Sequence, residues 1–377
     1  MVELPAPECR RYAVVIVGGG VAGCATALAL ADRGVTDTIV VDALSQPRWH
    51  MGEAIPPAGH QILRRLCLWD AFLAQAPLPS AGSCASWGGS DLGYNDFLLD
   101  GQGKGWHIDR AGFDAMLAAA VAVRGGTILR GARLREIARL EAGGYELSFD
   151  DEAGQRSRIA ADFLVDATGV AAAAARRLQV ARNQLDCLAV IGGVFELGEP
   201  DAVPSQALLE ACGEGWWYAA KLPKHRLIAA LAVGPEARQR YGETGAWLAA
   251  LRETGHVARW LDRGRAALVE GTSPETALAP CAILSRVVGD RWLAVGDAAS
   301  VYDPILAQGI VKALSDGEAA ATAIATSFAE GGEAPLLAYQ DGVFARFRNA
   351  LRLRQHLYRL ERRWPEAPFW RNRLGGP

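Results

Sequence analysis

Gly18, Gly20 and Gly23 follow directly on a β-branched run at residues 12–17 and precede an Ala/Leu-rich stretch at residues 24–33. They constrain this chain more than any other feature. A strand that meets a glycine loop, then a helix, then a second apolar strand at residues 38–41 is a βαβ unit with parallel strands and a right-handed connection. Gly18 permits the tight turn, Gly20 lets a ligand phosphate approach the backbone, and Gly23 lets the helix pack on the strand. Val21 and Ala22 lie in the loop ahead of the helix, and the helix's first N–H groups would face the phosphate. Asp42, nineteen residues after Gly23, is placed to accept a hydrogen bond from a ribose and to repel a 2′-phosphate.

At 377 residues and 50% hydrophobic, the chain can bury the core of one large or two interleaved domains. A formal charge of −3 gives no electrostatic footprint for nucleic acid. Seven cysteines without a C-x-x-C pair read as reduced thiols of a cytoplasmic protein with no metal cluster. Residues 13–31 are apolar, but three consecutive glycines argue against a membrane span. Between about 186 and 275 the pattern changes to strands joined by hairpin turns (189–195, 207–212, 216–222 and 226–233), which predicts a separate antiparallel sheet. Residues 310–329 predict a long helix, and residues 346–377 carry nine arginines against two glutamates.

Residues 291–295 form another apolar strand, which runs into Gly296-Asp297, then Asp303-Pro304 and Gln308-Gly309. This succession resembles the second flavin fingerprint of the para-hydroxybenzoate hydroxylase-type monooxygenases. Gly52-Glu53-Ala54-Ile55-Pro56-Pro57 resembles the G-E-S-x-x-P segment of the flavin-dependent tryptophan halogenases. The segment from Trp106 to Arg110, followed by Phe113-Asp114, resembles that group's lead into the helix beside FAD, and Asp166-Ala167-Thr168-Gly169 fits the same superfamily. The resemblance runs from residue 13 to about 320. It implies an α/β protein that binds FAD non-covalently on a Rossmann-type domain (1–80, 101–185 and 276–345). An inserted antiparallel β-sheet substrate domain (81–100 and 186–275) and a C-terminal helical segment (346–377) complete the expected architecture. It further implies that Asp297 holds the ribityl chain and that Pro304, Gly309 and Ile310 meet the flavin ring. Arg48, Gly52, Glu53, Arg110, Gly169 and Gly296 are expected to contact the cofactor as well.

The tryptophan halogenases carry a lysine after the G-E-S segment and a glutamate and serine in the D-P-x-E-S-x-G turn. Here the stretch 84–97 has no lysine, and Leu306 and Ala307 stand at the Glu and Ser positions. The W-x-W-x-I-P segment is matched only in part by Trp216-Trp217-Tyr218. These departures favour a monooxygenase in which a flavin C4a-hydroperoxide, formed with O₂, hydroxylates an aromatic small molecule or a tryptophan within a peptide or protein. Trp87, Tyr94, Trp216, Trp217, Tyr218 and Lys221 are the candidate pocket residues; His50, Glu53 and Gln308 are the candidate catalytic groups. For the aromatics, sheet core is the competing reading, and for His50 a bond to backbone is. No second glycine-rich unit exists for a nicotinamide, so electrons would come from transiently bound NAD(P)H or from a separate flavin reductase. The arginine-rich tail is either a helix covering the domain or a docking surface for an acidic partner. It and the region 86–88 are similar to flavoproteins that oxidise peptidyl tryptophan during quinone-cofactor maturation. A halogenase with different residues, a non-oxygenating reductase and a maturation chaperone are the alternatives.

Overall fold

The computed structural model describes residues 10–97, 101 and 103–374; Cys9 and residues 98–100 of the expected substrate domain lie outside them. Strand β1 (Arg10–Val17), helix α1 (Val21–Ala31) and strand β2 (Thr38–Asp42) form the βαβ unit, with the strands in parallel register. Val14, Val15 and Ile16 are wholly buried because elements cover both faces of the sheet, so the strand reads as an unbroken apolar run. Strands β3 (Thr127–Arg130), β4 (Arg156–Asp166) and β10 (Trp292–Ala294) extend it in the parallel order β10-β4-β1-β2-β3. Helix α2 (Arg110–Val123) and the long α3 (Gly309–Glu330) pack beside α1. At Gly317 of α3 a Cβ would stand 2.8 Å from Ala25 and 2.9 Å from the Ala22 carbonyl, so only glycine allows this close crossing.

The second sheet is built on β5 (Arg182–Leu197), with β6 (Ala207–Cys212), β7 (Gly215–Leu222), β8 (Arg226–Val233) and β9 (Glu275–Leu284) in the antiparallel order β9-β5-β8-β7-β6. Gly82–Ser86 joins β6 in parallel and Gly93–Asp96 closes that edge. Strand β9 thus lies in this sheet and not, as the boundary at 275/276 assumed, with the Rossmann-type unit. Its run of small apolar residues fits either sheet, and only the pairing with β5 decides.

The two faces of the second sheet have different fates. One packs on helices Thr244–Arg252 and Val257–Arg263, where Trp217 is 1% exposed and its ring lies 5.5 Å from that of Trp247. Alternation along β7 sends Trp216 and Tyr218 to the other face, toward the Rossmann-type unit.

Helix α4 (Ala334–Leu360) begins twelve residues before the expected tail segment and leads to α5 (Pro368–Leu374). Four of its region's arginines point inward: Arg346 to Asp316 at 2.9 Å, Arg354 to Asp303 at 2.8 Å and to Asp186, Arg363 to Glu361 at 2.7 Å, and Arg373 to Asp186 at 2.9 Å. The tail's aromatics are anchored too. The Trp370 indole donates to the Cys212 carbonyl, and the Tyr358 hydroxyl bridges Trp216 and Asp303. Of the two readings of the tail, the covering helix accounts for these bonds. Arg354→Met strands the buried Asp303 carboxylate, and denaturant unfolding should register a loss of about 3 kcal/mol.

Candidate active site

The glycine loop is shaped by what it must avoid. Gly18 has φ +113°, and a Cβ there would lie 2.2 Å from the Ala167 carbonyl oxygen; a Cβ at Gly23 would lie 1.9 Å from the Gly18 oxygen. Gly20 is different, for none of the described residues stands within 4 Å of where its Cβ would be. It is the N-cap of α1, has no side chain to satisfy the first-turn N–H groups, and no acidic residue follows in that turn. The first-turn donors, those of Val21 and Ala22 among them, follow directly on that clearance, which fits a diphosphate. Asp42 ends β2 beside Gly19, accepts the Leu44 N–H at 3.1 Å, and lies 3.8 Å from Arg130. Burial raises its pKa, against backbone bonds and Arg130.

Two further turns close on this loop. The buried Asp166 carboxylate accepts from the Thr168 N–H and hydroxyl and from the Ala175 N–H, which fixes the turn at Gly169, another glycine with open space at its Cβ position. The turn Gly296–Ala298 packs on α1, with Gly296 at φ +58° and a Cβ there only 2.6 Å from Ala22. Asp297 lines the resulting groove with its side chain 38% exposed, and its carboxylate accepts from Lys312 at 3.3 Å. Arg182 approaches from the start of β5, bonded to the Val170 carbonyl, with its buried Nη2 unpartnered. The turn Pro304–Leu306 delivers the chain to the N-terminus of α3, where Gln308 is the N-cap and Gly309 again leaves open space. Cradles that a Cβ would fill, uncapped helix starts and a groove-lining carboxylate together fit a dinucleotide cofactor spanning from Gly20 to Ile310.

The segment His50–Glu53 lies across the second sheet. Met51 fills the notch left by Gly192 on β5, where a Cβ would come within 2.6 Å of its sulfur. Asp114 of α2 organises the segment: it accepts from His50 Nε2 at 3.1 Å and Arg110 Nε at 3.2 Å, while Arg110 also donates to the Gly52 carbonyl at 3.2 Å. Burial works against ionisation of Asp114, but the bonds from His50 and Arg110 outweigh it and hold the carboxyl below its usual range. His50 also contacts the Met51 carbonyl through Nδ1, at 3.2 Å.

Glu53 is 3% exposed, and its Oε1 has no hydrogen-bond partner among the described residues. Burial pushes its pKa up to about 7, against backbone N–H groups, Arg110 and His50. The Tyr218 hydroxyl is likewise out of solvent and without a partner among the described residues; burial, and then the charge of Glu53, push its pKa well above the usual value. Around them stand Trp49, Met51, Ala220, Leu222 and Ile228, with Trp216 and Leu306 beyond. Two lone oxygens in an apolar setting mark a place for a ligand that supplies polar atoms.

Of the expected pocket residues, Trp216 and Tyr218 share this wall. Trp87 stands further off, its indole bonded to the Leu357 carbonyl at 2.8 Å and its ring against Trp370. Three do not belong to the wall. Tyr94 is 67% exposed on an edge strand, Trp217 lies in the core behind the sheet, and Lys221 faces that same side, with its Nζ 3.5 Å from the Val203 carbonyl. Arg48 is exposed and has no partner among the described residues. Arg182 and Lys312 escaped the sequence reading, and Asp114 stood in it only as part of the motif after Trp106–Arg110, with no role of its own; the trace of their pairing was the i,i+4 spacing of Arg110–Asp114 and Lys312–Asp316. Among the described residues no group of His, Cys, Asp and Glu could hold a metal, and no helix is long and apolar enough to cross a membrane.

The FAD binding domain family matches residues 11–353. The putative FAD-dependent oxidoreductase LodB of Marinomonas mediterranea is 25% identical over 372 residues, 97% of each chain. Among solved structures, the myxobacterial chondrochloren halogenase CndH superposes with a TM-score of 0.87 at 21% identity, over 97% of this chain and 86% of that one. The peptidyl tryptophan dihydroxylase QhpG does so with a TM-score of 0.76 at 24% identity, over 97% and 79%.

Proposed function

The chain belongs to the FAD binding domain family, and from that premise we propose that it is a monooxygenase that hydroxylates an aromatic ring, the indole of a tryptophan within a peptide or protein. The observation that carries this reading is the pair of buried, unpartnered oxygens, Glu53 Oε1 and the Tyr218 hydroxyl, set in an apolar wall. A flat ring with one polar hydrogen would satisfy both kinds of surface: the wall takes the ring and Glu53 Oε1 accepts the N–H. FAD, when reduced by NAD(P)H or by a separate flavin reductase, supplies the oxygen activated from O₂.

The protein's own part is to position and to keep dry. Trp49, Met51, Tyr218 and Ile228 exclude water from the reacting ring. Asp114, through Arg110 and His50, fixes the backbone that carries Glu53. With a pKa of about 7, Glu53 is matched to accepting and returning a proton near neutral pH.

A halogenase is the competing reading, and the lysines speak against it. Lys221 faces the core side of β7, Lys224 pairs with Asp109 at 2.6 Å, Lys312 is tied to Asp297, and Lys104 is exposed. QhpG, similar to this chain in fold, is a dihydroxylase of peptidyl tryptophan, and that reaction is of the class proposed here. The deciding experiment incubates tryptophan-containing peptides with the protein, NADH, a flavin reductase and air, with and without bromide, and reads the products by mass. Oxygen added to the indole is the expected result; a brominated product, or turnover that continues unchanged without O₂, would overturn it.

A further inference from the structure

Lys312 is a lysine in an unfavourable place. Its side chain is 3% exposed, and it sits in the first turn of α3, where the helix dipole repels a cation. Burying an ammonium is expensive, and an apolar side chain of similar length would fill the space more cheaply. What the position provides is a bridge. The ammonium lies 3.3 Å from Asp297 Oδ1 and 3.6 Å from Asp316 Oδ2, and 5.1 Å from the centre of the Tyr302 ring. Asp316 is wholly buried and held in turn by Arg346 of α4 at 2.9 Å. Lys312 and Asp316 are therefore the buried centre of a charged chain that runs from the partly exposed Arg346 to the Asp297 carboxylate, the member that lines the cofactor groove.

We propose that Lys312 is a positioning residue for FAD: through its bond to Asp297 it fixes that carboxylate in the orientation that receives the cofactor's hydroxyl groups, and it brings a positive charge close to the bound flavin. Asp316 and Arg346 keep the ammonium in place. The inference rests on the FAD site alone and holds whatever the acceptor is.

The test compares the wild type with Lys312→Met, Lys312→Arg and the double variant Lys312→Met/Asp316→Asn, which also removes the buried Asp316 charge beside the lost ammonium. FAD affinity is read by flavin fluorescence on titrating apoprotein, the flavin midpoint potential by dye equilibration, and folding by thermal denaturation. Lys312→Met should weaken FAD binding at least about tenfold and lower the potential. The double variant should regain thermal stability without regaining FAD affinity, and Lys312→Arg should restore part of both affinity and potential. A double variant that folds and binds FAD as the wild type does, at the wild-type potential, would overturn the proposal. Should neither Met-containing variant fold, Asp297→Asn decides, because it leaves the Lys312–Asp316 pair intact: unchanged FAD affinity there means Lys312 has no carboxylate to position.

Discussion

A Gly20→Val protein should fold as the wild type does and come through purification without its yellow colour. Gly20 has φ −77° and ψ −169°, an extended conformation that valine adopts readily, and none of the described residues stands within 4 Å of the added Cβ. The only occupant that the isopropyl group displaces is the ligand's diphosphate. Loss of that approach, with the helix donors of α1 no longer reachable, should weaken FAD binding by on the order of a hundredfold. Gly23→Ala is the contrasting control. Its methyl would collide with the Gly18 carbonyl, so the fold itself should suffer along with binding. Absorbance of the flavin and the thermal midpoint separate the two cases. A Gly20→Val protein with full wild-type flavin content would mean that the diphosphate lies elsewhere.

The second large effect concerns Glu53. Replacing it with glutamine keeps the shape and a hydrogen-bond acceptor but removes the titrating carboxylate, and turnover of the aromatic substrate should fall by roughly a hundredfold. Wild-type turnover should rise with pH through about 7 as the carboxylate ionises, and the variant should lose that rise. Stability moves the opposite way. The folded-state pKa of about 7 stands above the ordinary 4.5, so the folded protein holds a proton that the unfolded chain releases. The stabilisation this provides is complete below about pH 4.5 and is lost as pH climbs to about 7, a change of about 3 kcal/mol. Glutamine does not undergo that loss. Above neutrality the variant should therefore be the more stable and the less active protein, as expected of a group kept for function against the preference of the fold. Denaturant titrations at pH 5 and pH 8 with parallel rate measurements check both halves. Wild-type turnover in Glu53→Gln would remove Glu53 from the chemistry.

The parts legible from sequence were those written locally. Gly18, Gly20 and Gly23 announce themselves because their backbone and clearance demands belong to a single loop, and the strand before them and helix after them follow from composition alone. The change from βαβ to hairpins near residue 186 was visible for the same reason. Partnerships across space were not. The residues of β9 do not say which sheet receives them, and Tyr94 looks like any other aromatic of a pocket until the edge strand leaves it in solvent. Alternation did separate Trp216 and Tyr218 from Trp217 and Lys221, but which face met the Rossmann-type unit needed the packed helices to decide it. Asp114 and Lys312 lie within helices whose sequences explain themselves without a ligand. Their importance appears only when His50, or Asp297, arrives from elsewhere in the chain.

That alternation on β7 has a consequence for how such a protein can change. Trp216 and Trp217 are neighbours on the same strand, yet one looks toward the cofactor unit and the other is walled in behind the sheet. One residue inserted into the turn at Gly213-Glu214 and taken up as a slip of pairing would swap their stations, turning the face proposed for the substrate into foundation and foundation into that face. Drift in substrate preference is therefore open to substitution along that ribbon and closed to changes in its length.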